Sequence, residues 1–128
     1  AAAREAVRKA VGREDVDVHF LVGGTQANAT VISSILRPHQ GVLCATTGHI
    51  NVHETGAIEH SGHKVLALEA EDGLLSAESI REAVQLHYAE DGPEHMVQPG
   101  MVYISHPTEN GTLYTKDELK DILNDMKG

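Results

Sequence analysis

Short β-branched runs alternate with helix-forming stretches along most of this chain, and at Phe20–Asn28 (FLVGGTQAN) the change is made through two adjacent glycines. Alternation of this kind leads to a parallel sheet, because neighbouring parallel strands need a crossover and a helix supplies it. The sheet is then covered on both faces, and ligands sit beyond the C-terminal ends of its strands. Ala1–Val11 is rich in helix formers, with Gly12 as its C-cap. Val16–Val22 suits a strand, interrupted by His19. Gln26–Leu36 places Ala27, Val31, Ile35 and Ala29, Ile32, Leu36 at helical spacing and stops before Pro38.

Val42–Ala45 and Lys64–Leu68 read as further strands, with a helix over Val52–His60 closed by Ser61–Gly62. Ser76 is placed to cap a helix over Ala77–Tyr88, and Glu90–Gln98 is a loop by its Gly, Pro and charge content. Met101–Ser105 is a strand, and Thr115 with Glu118 three residues on forms a capping box for a last helix. The expected fold class is α/β: a mainly parallel, three-layer αβα sheet in one domain over residues 1–128. The loops Gly23–Thr25, Thr46–His49 and Ser105–Gly111 each follow an expected strand, so all three should face one edge.

A formal net charge of −9 argues against nucleic acid, which needs clustered Lys and Arg. No basic run suggests a membrane surface, and no apolar stretch approaches the roughly 20 residues of a span. Cys44 is alone, so there is no disulfide framework, as in a reducing compartment. A soluble, cytoplasmic protein is expected. With no Trp, one Phe and three Tyr, the core must rest on Val, Leu, Ile and Ala.

The glycine turn can cradle a phosphate. Glycine lets backbone approach a ligand closely, and the first N–H groups of the helix after it have no intrahelical partners. The turn lacks both the G-x-G-x-x-G of dinucleotide sites and the G-K-[ST] of a P-loop, and it reads equally as a plain strand-to-helix turn. His49 and His53 have the i, i+4 spacing of a two-His metal face, an open alternative. His60 and His63 read as surface residues flanking a turn. His49 follows a strand and points into the expected site, where an imidazole can stack on a planar ligand or act as acid or base. Cys44 reads as core packing.

Taken together, Gly23-Gly24-Thr25-Gln26-Ala27-Asn28, then Gly48-His49-Ile50 with Glu54, Gly56 and Ala57, then Thr108-Glu109 with Gly111 resemble the β-eliminating lyase/threonine aldolase family. These are pyridoxal-phosphate enzymes of the aspartate-aminotransferase fold type, and the resemblance runs from about Val11 to Ile122. It implies pyridoxal 5'-phosphate as cofactor, with Gly24 and Thr25 at its phosphate and His49 stacked on its pyridine ring. It implies cleavage of the Cα–Cβ bond of a small β-hydroxy amino acid, with the cofactor as electron sink. It also implies a homo-oligomer, dimer or tetramer. His49 and Glu109 are the expected catalytic residues, and no metal is called for. The family usually carries T-H-N in the third loop, where this chain has Thr108-Glu109-Asn110, so Glu109 replaces a histidine and the amino acid attacked is left open. Another β-eliminating lyase of this fold and a catalytically incomplete cofactor-binding fragment are the alternatives.

The resemblance places the Schiff-base lysine, and the aspartate that pairs with the pyridine nitrogen, well downstream of the third loop. None of Lys9, Lys64, Lys116, Lys120 and Lys127 matches that lysine's motif. The expectation is an N-terminal portion of the large cofactor domain, with later strands lying between Val16–Val22 and Val42–Ala45.

Overall fold

A computed structural model describes residues 1–127. Its elements are α1 (Ala2–Val11), α2 (Gly24–Ile35), β1 (Gln40–Ala45), α3 (His49–Val52), α4 (Ala57–His60), β2 (Val65–Leu68), α5 (Ala77–Ala89), β3 (Gln98–Val102) and α6 (Lys116–Lys127), with a 3-10 turn at Pro93–His95. The sheet order is β2-β1-β3, and both pairings are parallel. β1 is therefore central, with Val42 opposite Val65 on one side and Met101 on the other.

β1 organises the core because side chains alternate across a strand. Val42 and Cys44 point to one face, packing with Ile32 of α2 and its C-cap Leu36, Ile50 of α3 and Ile58 of α4. Leu43 and Ala45 point to the other, packing with Leu75, Ile80 of α5, Tyr114 and Ile122 of α6. This is the expected three-layer αβα arrangement. Tyr114 is buried, and its hydroxyl accepts from the Leu75 N–H at 2.9 Å, which satisfies a polar group inside the second layer.

The local signals at helix ends operate as read. Gly12 takes the left-handed conformation at φ 74° and donates to Arg8 O. Ser76 accepts from the Ser79 N–H at 3.0 Å. Thr115 and Glu118 cap reciprocally, at 2.7 Å from Thr115 N to Glu118 Oε2 and 3.2 Å from Glu118 N to Thr115 Oγ1.

Four expectations are corrected. Val16–Val22 forms no strand, and Val22 is 96% exposed. A β-branched run becomes a strand only where a neighbouring edge accepts its backbone hydrogen bonds, and none of the described strands pairs with it. Val52–His60 is not one helix. It breaks between α3 and α4, where Thr55 and Gly56 both have positive φ, at 54° and 75°. His63 is buried rather than on the surface, with its Nδ1 3.0 Å from Gln40 O. The strand expected over Met101–Ser105 instead runs from Gln98 to Val102, because pairing with Gln40 and Gly41 recruits residues whose side chains gave no strand pattern.

Candidate functional site

Two of the three loops lie together because β1 and β3 run parallel side by side, so their C-terminal ends share one edge. The glycine turn joins them by another route. α2 feeds into β1 through only four residues and packs on it through Ile32 and Leu36. It therefore runs back along the strand and sets its N-terminus over the strand's C-terminal end. The edge is as expected, although no strand precedes the turn.

At that N-terminus Gly23 is the N-cap in an extended conformation, and no side chain caps the helix. Gly23 O accepts from the Ala27 N–H at 3.0 Å, and the Val22 N–H is taken by Gln26 Oε1 at 2.8 Å. The N–H groups of Gly24, Thr25 and Gln26 have no acceptor among the described residues. A Cβ placed on Gly23 or Gly24 would meet nothing within 4 Å, so the approach is open. Free amides, a helix dipole and an open approach form an anion cradle.

His49 opens α3, directly after the turn from β1. Gly48 makes that turn possible: a Cβ there would lie 2.9 Å from Ala45 O and 3.2 Å from Cys44 Sγ. Two carboxylates hold His49. Glu109 Oε1 accepts from its backbone N–H at 2.8 Å and also from the Ser105 hydroxyl, which ties the third loop to α3. Glu54 Oε1 lies 2.8 Å from its Nδ1 and accepts from Asn28 Nδ2 at 2.6 Å. His53 lies alongside, with ring centroids 5.7 Å apart and the planes tilted by 49°. Among the described residues no three His, Cys, Asp or Glu side chains are placed to hold a metal ion.

Burial pushes the Glu109 carboxyl up, but the hydrogen bonds from Ser105, its own backbone and the His49 N–H, with the His49 charge, outweigh it. The net result lies below the ordinary value. Cys44 is buried in β1, and its thiol is pushed up to about 11 by burial, reinforced by Glu109 and Glu59. A thiol so held is no nucleophile near neutral pH, as its core reading implied. Of the residues singled out from sequence, His49 and Glu109 are in direct contact. Gly24 and Thr25 lie one helical turn before Asn28, which reaches the His49 group through Glu54.

Sequence reading attached no role to Asn28, Glu54 or Ser105. For Asn28 a signal was present: an amide in the interior of a helix is a poor helix former and points to a tertiary partner.

The fold and site define a three-layer αβα unit with a helix-terminus cradle at the edge where its parallel strands end. Residues 1–125 match the beta-eliminating lyase family, and the chain belongs to it. It is 36% identical over 114 residues to a low specificity L-threonine aldolase of Pseudomonas sp. (strain NCIMB 10558), covering 84% of this chain and 31% of that protein. A low specificity L-threonine aldolase of Pseudomonas aeruginosa is 33% identical over the same coverage. The structure of a threonine aldolase from Leishmania major superposes with a TM-score of 0.90 at 46% identity, covering 98% of this chain and 35% of that one. The chain thus spans about a third of the length of these relatives.

Proposed function

We propose that this chain supplies the phosphate grip and the ring-facing histidine of a pyridoxal-phosphate-dependent lyase of threonine aldolase type. The observation that carries the reading is the uncapped N-terminus of α2, joined through Asn28 and Glu54 to His49. The donor set fits the cofactor: three free amides for a phosphate dianion, and a flat, part-exposed imidazole for an aromatic ring. When bound, pyridoxal phosphate supplies the electron sink that lets the Cα–Cβ bond of a β-hydroxy amino acid break. In this reading Gly24 and Thr25 bind the phosphate and His49 faces the ring. Glu109, ionised at neutral pH, sets the position of His49 and offers a carboxylate to the substrate side.

The likeness to enzymes named low specificity L-threonine aldolase supports a small β-hydroxy amino acid as substrate. A second reading, a lyase that eliminates a different β-substituent, is favoured by one feature: Glu109 stands in the third loop where the family usually has histidine. Adding threonine to the cofactor-loaded full-length protein should release acetaldehyde and glycine. Pyruvate and ammonia from other amino acids, without aldehyde, would move the assignment to the second reading. Thr25→Ala should raise the dissociation constant for pyridoxal phosphate about tenfold, the scale of one lost hydrogen bond to a charged group. Unchanged affinity would remove the Thr25 hydroxyl from the grip and leave only its amide there.

The same resemblance supports a homo-oligomer, dimer or tetramer, and the lone Cys44 supports a reducing, cytoplasmic compartment. Exposed Phe20, Leu21, Val31 and Ile35 are apolar surface that assembly can cover. Sedimentation of the full-length protein tests the assembly, and a monomer at micromolar concentration would exclude it.

A further inference from the structure

Glu54 is a deeply enclosed group of the site, and the cofactor reading uses it as a link without giving it a role toward the ring. Its side chain is 0% exposed, against 45% for His49. A carboxylate is costly to bury unless its oxygens are engaged, so its contacts are informative. Oε1 accepts from Asn28 Nδ2 and faces His49 Nδ1, while Oε2 has no partner among the described residues. With Asn28 donating to it, Oε1 is an acceptor both in the carboxylate and in an acid protonated on Oε2. A carboxylate Oε1 has no hydrogen to give, and against it Nδ1 is the nitrogen that donates. The break between α3 and α4 is what turns Glu54 inward, and Thr55 and Gly56 make that break with positive φ.

We propose that Glu54 is the positioning residue for His49, holding its ring in the Nδ1-protonated tautomer and tying it through Asn28 to the N-terminus of α2. The inference rests on the cofactor reading for its purpose but not for its geometry. A carboxylate that selects the tautomer of a histidine and fixes its plane has the orienting role known from Ser-His-Asp triads. Here the same contact also joins two parts of one binding site, because Asn28 lies one turn beyond Gly24 and Thr25 on the helix that carries the cradle. Phosphate grip and ring platform are thereby set at a fixed spacing. Loss of Glu54 frees the ring without touching the amides. A ligand that spans both parts should then feel the loss, and a bare phosphate should not. If Glu54 only stabilised the turn between α3 and α4, its removal would lower stability and leave the tautomer as it was.

The test uses the full-length protein freed of cofactor and labelled with 15N-histidine, at about pH 8.5, above the ordinary histidine range. Long-range 1H–15N spectra should show His49 protonated on Nδ1, its signals assigned by their loss in His49→Gln. In Glu54→Ala the signals should move to those of a free-imidazole tautomer mixture. The dissociation constant for pyridoxal phosphate should rise about tenfold, within the range seen when outer partners of binding histidines are removed. That for inorganic phosphate should stay within twofold. Asn28→Ala changes only a half-buried helix position and should also weaken pyridoxal phosphate, with the tautomer retained.

An Nε2-protonated His49 in the native protein overturns the proposal, and that measurement needs no variant to fold. An unchanged tautomer in a folded Glu54→Ala overturns it too. If the tautomer responds as expected while the native protein binds no pyridoxal phosphate, the cofactor reading fails and the hold of Glu54 on His49 stands.

Discussion

Glu109 shows how a residue's work depends on which of its atoms are already engaged. Its Oε1 accepts from the His49 backbone and from Ser105, and its carboxyl sits below the ordinary range. Such a group takes a proton poorly at neutral pH, so its contribution is a fixed charge and an anchor. Because the folded-state value lies below the unfolded one, the stabilisation it brings is present above the ordinary carboxyl value of 4.5. It is lost as pH falls through the lowered folded value. Glu109→Gln should therefore be less stable than the native protein at pH 7, by at most about 1 kcal/mol given its exposure. The difference should close in acid. Urea unfolding at pH 7 and at pH 3 measures this, and a gap that widened in acid would contradict the anchor. That His49 and Glu109 lie at one strand edge was legible from their loops. The identity of their partners was not, since Glu54 and Asn28 are separated by 26 positions in the chain.

At the scale of elements, helix ends were the most legible feature and strand status the least. Gly12, Ser76 and the Thr115–Glu118 box act through neighbours within a few residues, so their local sequence carries all the required information. Val16–Val22 has the composition of a strand, but a strand needs a partner edge, and composition cannot supply one. The division of Val52–His60 was missed because Thr55, a β-branched residue, gives no hint of a positive φ. Gly56→Ala should cost about 1–2 kcal/mol, the penalty of a left-handed L-residue, and should also weaken pyridoxal phosphate through Glu54. Stability and affinity should fall together. Ile58→Ala, on the adjoining α4, empties a fully buried position and should cost about 2–5 kcal/mol. Denaturant midpoints compare the two, and an Ile58→Ala loss below 1 kcal/mol would mean that the α4 layer is not packed as described.

The whole molecule is a three-stranded parallel sheet whose outer edges, on β2 and β3, pair with no other described strand. Large apolar residues are exposed elsewhere on the surface, among them Phe20, Val22 and Ile35. Open parallel edges and exposed apolar residues favour association. A solution of the 128-residue chain should therefore self-associate, and light scattering that gave a monodisperse 13.8 kDa particle would refute this. What the sequence determined by itself was the α/β class, the helix caps and the shared edge of the loops after β1 and β3. Each of these is written in residues close together or in a short period. Tertiary structure alone decided that Val16–Val22 stays unpaired, that His63 is buried and that α3 and α4 separate. It also decided that Asn28, Glu54 and His49 meet. The physical reason is common to all four: backbone pairing, burial and a carboxylate's choice of donors depend on which distant residues the sheet brings alongside.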